Sequence, residues 1–220
     1  MSSLKITTAD YVEYLQRAYA IIHKNGEYVT SLDAATGDGD HWTNLNTGFE
    51  RLLELGDELG YMSFSDAFKK IGMLLMSVIG GSGGVLYGSA YVQAGKALAD
   101  EDTLGLEEIC RMLEVMYEAI AQRGKAERGH KTMLDSLGPA VDCFKECLAE
   151  GRTQGAYMLA EVKQAAIDGA ESTKNMEAVR GRAYYQANKG LGHLDPGAVT
   201  MAYQIEALMD FLTEKLKTHS

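Results

Sequence analysis

Eight stretches of the chain repeat apolar residues at the three-to-four-residue spacing of a helix, and none alternates β-branched residues as a half-buried strand would. The first, "TADYVEYLQRAYAIIHKNG", sets Tyr11, Leu15, Ala18, Tyr19 and Ile22 on one stripe. Thr7, with Asp10 three residues on, reads as its N-cap, and Asn25-Gly26 reads as its stop. "NTGFERLLELG" carries Phe49, Leu52 and Leu53. "SDAFKKIGMLLMSVIGG" opens at Ser65 as a cap and aligns Phe68, Ile71, Leu75 and Val78. "VLYGSAYVQAGKALADED" is rich in small residues that allow close packing, and "LEEICRMLEVMYEAIAQRG" aligns Ile109, Leu113, Met116 and Ile120 before ending at Gly124. "TMLDSLGPAVDCFKECLAEG" and "GAYMLAEVKQAAIDGAEST" follow. The last, "DPGAVTMAYQIEALMDFLTEKLK", opens with Asp195 as a cap and Pro196 at the first helical position. With Pro139 and Pro196 the only prolines and no low-complexity linker, the pattern predicts one all-α domain over residues 1–220, built from about eight helices.

A length of 220 residues with 46% apolar content is enough for a real core. The net charge of −10 argues against a face that follows a phosphate backbone, so no nucleic-acid partner is expected. No segment approaches eighteen apolar residues, and "MSSLKITTADYV" has no apolar core of an export signal; no membrane partner is expected. Three cysteines, Cys110, Cys143 and Cys147, are an odd and sparse set that suits reduced thiols in the cytoplasm. Cys143 and Cys147 lack histidines at ligand spacing and read as small core residues.

The polar residues gather at helix junctions: 36–48, 80–84, 123–131 and 181–197. In an up-and-down arrangement every second junction lies at the same end, so these four can meet on one rim. "SLDAATGDGDHWTNLNTGFE" packs Asp33, Asp38 and Asp40 into eight positions. Three carboxylates are hard ligands that suit Mg²⁺ and leave room for water and phosphate oxygens; the alternative is an acidic turn capping the next helix. "VIGGSGGVLYG" offers backbone N–H groups at a helix start, where an anion is favoured, or serves as a hinge between close-packed helices. "RGKAERGHKTM" and "VRGRAYYQANKGLGHLDPG" add Arg123, Lys125, Arg128, Lys131, Arg180, Arg182, Lys189 and His193 beside further glycines.

The motifs "GDGDHWTNLNTGF", "GMLLMSVIGGSGGVLYG", "RGKAERGHKTM" and "GRAYYQANKGLGHLDPGA" resemble, in order and spacing and over nearly the whole chain, those of the nucleotide-binding L subunit of bacterial dihydroxyacetone kinase. The resemblance implies a barrel of eight antiparallel helices with the nucleotide site at one rim. It implies that Asp33, Asp38 and Asp40 hold two Mg²⁺ ions on the phosphates of ADP or ATP. His41, Thr43, Asn44, Gly81, Ser82, Gly83, Gly124, Met133, Arg182 and the Asp195-Pro196-Gly197 turn would line the nucleotide site, with Arg182 as the catalytic cation. A separate K subunit would hold the ketose through a histidine, and an M subunit would rephosphorylate ADP in place, as in the phosphotransferase-system type. A transcriptional regulator and a second copy of the chain complete the partners the resemblance admits. The alternatives are a paralogue that binds nucleotide as a regulatory or interaction subunit, and a kinase subunit for a different small ketose.

The chain departs from the family pattern at Trp42, where the family has Gly, at Gly83, where it has Ser, and at His130, where it has Asp. Trp42 is expected to face outward on the docking rim rather than into the nucleotide site.

Overall fold

Capping and amphipathicity set where the helices begin and which faces they bury. The computed structural model describes residues 4–152 and 156–218. Among these, α1 (Thr8–Lys24) opens with the expected capping box, in which Thr7 accepts from the Asp10 N–H and Asp10 returns to the Thr7 N–H. Its stripe of Tyr11, Leu15, Ala18 and Ile22 is buried. α2 (Gly26–Thr36) follows at once, then α3 (His41–Glu54) and the single turn α4 (Gly56–Leu59). α5 (Phe64–Val78) is capped by Ser63, whose hydroxyl accepts from the Asp66 N–H, not by Ser65; the helix starts one residue after the cap that makes this bond. α6 (Gly81–Ala97), α7 (Leu106–Gly124), α8 (Leu134–Ala149), α9 (Ala156–Ser172) and α10 (Pro196–Thr218) complete the set; Gly155, which opens the α9 sequence pattern, lies outside the described residues. Short 3-10 turns cover Thr173–Asn175 and Arg182–Tyr185.

Eight of these helices close a ring. Contacts run α1–α3–α5–α6–α7–α8–α9–α10 and return from α10 to α1, so the expected all-α barrel is observed. α2 and α4 were not anticipated. α2 sits where Asn25-Gly26 reads as a full stop; Asn25 ends α1, its amide donating to the Ile21 carbonyl, while also serving as the residue from which α2 departs. Phe64, Phe68, Phe144 and Phe211 fill the core, with Tyr11 and Tyr91 sharing a hydroxyl bond of 3.1 Å inside it. Cys110 and Cys147 are buried, and burial pushes their thiols up to about 11 and about 12, as inert core residues require. The only β-type pairing among the described residues is one bridge between Ile6 and Leu104, at the end of the barrel where α1 starts and α6 ends. No helix there is long and apolar enough to cross a membrane.

Candidate functional site

Antiparallel order brings the starts of α3, α6, α8 and α10 and the ends of α2, α5 and α7 to one rim. His41, Gly81, Leu134, Pro196, Thr36, Ile79 and Gly124 all line a single cavity of about 650 Å³ there. The four polar junctions therefore meet, as the up-and-down pattern predicts.

At one end of the cavity Asp33, Asp38 and Asp40 converge, with one carboxylate oxygen from each lying within 4.8 Å of the others. Asp33 is not in a turn; it belongs to the last turn of α2 and is 7% exposed. Its Oδ2 accepts the His41 N–H at 2.9 Å, so it caps the first turn of α3. Gly37 is required beside it, because a Cβ there would lie 2.5 Å from Asp33 Oδ1. Asp38 and Asp40 keep 38% and 52% of their side chains exposed toward the mouth. Hard oxygens so close together, one of them fixed by a backbone donor, fit a divalent cation such as Mg²⁺.

Beside them Gly80 caps α6 with no side-chain partner for the first-turn N–H groups. Gly81 to Gly84 form the first turn of α6 itself rather than a loop before it, which places their N–H groups at the positive end of the helix dipole. Gly84 cannot carry a side chain: its Cβ would strike the carbonyl oxygens of Ile79 and Leu75. Away from the carboxylates the wall turns apolar, with Ile79, Val85, Leu86, Ile120, Met133 and Leu134.

His41 Nε2 lies 2.8 Å from Thr200 Oγ1, and the same hydroxyl lies 3.1 Å from the Pro196 carbonyl oxygen, so the imidazole is tied to the start of α10. Burial pushes its pKa down against the pull of Asp33 and Asp40. Asp195 caps α10, accepting the Ala198 N–H at 2.7 Å. Burial raises its carboxyl to about 7, opposed by that bond and by Lys131. Lys131, one of the loop cations, is 2% exposed and donates to the carbonyls of Thr173 and His193, tying three rim segments together. Arg182 Nη2 sits 2.6 Å from Asp38 Oδ2 and 4.0 Å from Asp40 Oδ2.

Thus Asp33, Asp38, Asp40, His41, Asn44, Gly81, Ser82, Gly83, Gly124, Met133, Arg182, Asp195, Pro196 and Gly197 share the cavity wall, whereas Thr43 is exposed on α3 outside it. Thr36, Leu86, Ile120 and Thr200 were missed; Leu86 and Ile120 lie about one helical turn from Gly83 and Gly124, a spacing that could have found them. Trp42 turns away from the cavity. Its Nε1 donates to the Ile22 carbonyl at 2.9 Å, and its ring packs over Gly26, half-buried in the corner between α1 and α2.

Residues 35–210 match the DAK2 domain family. The chain belongs to that family. It is 32% identical over 205 residues, 93% of this chain and 97% of the relative, to the ADP-binding subunit DhaL of the PEP-dependent dihydroxyacetone kinase of Escherichia coli (strain K12). It is 35% identical over 223 aligned positions, 99% of both chains, to the DhaL subunit of PEP-dependent dihydroxyacetone kinase 2 of Listeria innocua. Among solved structures, the dihydroxyacetone kinase of C. freundii in complex with AMP-PNP and Mg²⁺ superimposes with a TM-score of 0.69 at 27% identity, covering 90% of this chain and 33% of that one. This DAK2 chain thus corresponds to about a third of the C. freundii kinase chain.

Proposed function

We propose that this chain is the ADP/ATP-binding subunit of a phosphoenolpyruvate-dependent dihydroxyacetone kinase in the cytoplasm. The carrying observation is the triple-carboxylate cluster at the head of a rim cavity large enough for a nucleotide. The near-full-length likeness to DhaL subunits supports the same reading. Asp33, Asp38 and Asp40 would hold Mg²⁺, two ions on this reading, and the metal would supply charge neutralisation along the phosphates. The first-turn N–H groups of α6 receive phosphate oxygens, and the apolar wall of Leu86, Ile120 and Met133 receives the base. His41, bonded to Thr200 through Nε2, fixes the start of α3 and with it the cluster. Arg182, 62% exposed at the mouth, meets the transferring phosphoryl group from the solvent side. The acceptor hydroxyl belongs to a small ketose presented by a K-type subunit over that mouth, and an M-type subunit restores ATP in place. A transcriptional regulator and a homodimer are further associations of this reading.

Thermal unfolding with and without Mg–ADP tests the site. At a hundredfold excess over the dissociation constant, binding to the folded state contributes about 2.7 kcal/mol, a rise of roughly 5–10 °C for a chain of this size. Ketose phosphorylation is expected only when K-type and M-type subunits and phosphoenolpyruvate are present. An unchanged midpoint, or robust kinase activity by the chain alone, would refute the assignment.

A further inference from the structure

Residues 179–186 cross the mouth of the cavity as a strap pinned on both sides. On one side the Val179 N–H donates to the His130 carbonyl at 3.3 Å and Arg180 Nε to the Lys125 carbonyl at 3.0 Å. On the other, Gln186 Nε2 donates to the Ala35 carbonyl at 3.0 Å, at the end of α2. Between the pins Gly181, at φ +74°, turns the backbone into the 3-10 turn Arg182–Tyr185. That turn delivers the Arg182 guanidinium onto Asp38.

Three carboxylates held this close repel one another unless a cation sits among them. The chain has one of its own in place. We propose that Arg182 is a resident cation that latches the strap to Asp38 and that a divalent ion must displace it. This rests on reading Asp33, Asp38 and Asp40 as the metal ligands. Guanidinium and metal compete for the same Asp38 carboxylate, so binding the ion and freeing Arg182 are one event. The freed side chain is already over the mouth, where phosphate would take it up. Arg180 and Gln186 are positioning residues: their side chains bond backbone carbonyls on either side, and they set where Arg182 hangs. The latch makes the metal alone bind weakly and makes metal and nucleotide bind cooperatively, because the nucleotide supplies the guanidinium with a new anion.

The latch is read by titrating Mn²⁺ alone, without nucleotide, and following free Mn²⁺ by electron paramagnetic resonance. Arg182→Ala is expected to tighten Mn²⁺ binding about three- to fivefold, the range an exposed ion pair of up to about 1 kcal/mol supports. Gln186→Ala keeps every charge and loosens the strap; it is expected to tighten binding about twofold. Arg123→Ala removes another cation from the same cavity wall, outside the strap, and is expected to leave Mn²⁺ affinity within twofold. An Arg182→Ala affinity no higher than that of Arg123→Ala would overturn the latch, as would an unchanged Gln186→Ala. The thermal response of the wild type to Mg–ADP is measured in parallel. If that response is absent while the Mn²⁺ shifts appear, the nucleotide assignment fails and the latch stands.

Discussion

α3 begins under a carboxylate, and α6 beside it begins under nothing but backbone. Asp33 Oδ2 takes the first N–H of α3, so that start is satisfied from within and presents negative charge to the cavity. The Gly80 cap of α6 has no side-chain bond, so that start keeps its donors for whatever enters. Two neighbouring helix ends with the same dipole thus build opposite halves of one site, a seat for a cation and a seat for an anion. The difference lies in one side chain against a run of glycines, and substitution can break it from either side.

The largest expected effect is at the bare start. Gly84→Ala drives a Cβ into the Ile79 carbonyl oxygen, which is backbone and cannot swing aside. A loss of about 2–3 kcal/mol is expected in urea unfolding; a loss under about 0.5 kcal/mol would mean that α6 does not pack this closely on α5. At the capped start, Asp33→Ala and Asp33→Asn separate Asp33's two roles. The alanine variant should lose about 1 kcal/mol of ligand-free stability with the cap, together with the Mg–ADP thermal shift. The asparagine variant retains an acceptor for the His41 N–H and should lose only the shift. Equal ligand-free stability of the two variants would show that the 2.9 Å bond contributes nothing.

The smallest effect extends the comparison to α10, whose cap Asp195 is a carboxylate that burial raises to about 7. The unfolded chain gives up this proton near the ordinary carboxylate pKa, while the folded chain keeps it to about 7. Stability should therefore fall as pH rises between those values and level off above them. Asp195→Asn preserves an acceptor for the Ala198 N–H and removes the titration. Between pH 6 and pH 7 the wild type should lose about 1 kcal/mol more than this variant. Parallel pH profiles would show that the carboxyl is better solvated than its surroundings imply.

Helical periodicity carried most of the barrel, because the core needs only the stripes that Tyr11, Leu15, Phe68, Ile71 and Ile109 mark out. It could not show α2, whose apolar face is weak and whose start coincides with a stop signal for α1. Capping chemistry pointed to Ser65, whereas Ser63, two residues earlier, makes the bond. At the site, glycines and aspartates clustered in sequence because backbone approach and charge are local requirements. The contacts that hold the strap were invisible: Gln186 to Ala35 spans 151 positions, and nothing in the two motifs pairs one with the other. Trp42 is expected on an outward docking rim because the family's nucleotide pocket is formed without it and because polar sequence neighbours argue against a core position. In three dimensions its neighbours are the end of α1 and Gly26, and its indole serves as a bracket for that corner.

The barrel also has a last stave. Where α10 meets α1, Lys215 Nζ lies 2.6 Å from Asp10 Oδ1 and 2.9 Å from Glu13 Oε2, and Arg17 spans Glu13 and Glu214 at 2.7 Å each. Lys215 and Asp10 are 205 positions apart. The other seams join helices that are consecutive or nearly so, and they can zip as local hairpins while the chain is still being made. This seam cannot form until α10 has left the ribosome, long after α1. Until then the ring is an open arc, and the acids of α1 wait for the lysine of α10. Completing the circle is therefore a late step steered by charge, and added salt should slow it while leaving the earlier hairpins untouched in stopped-flow refolding.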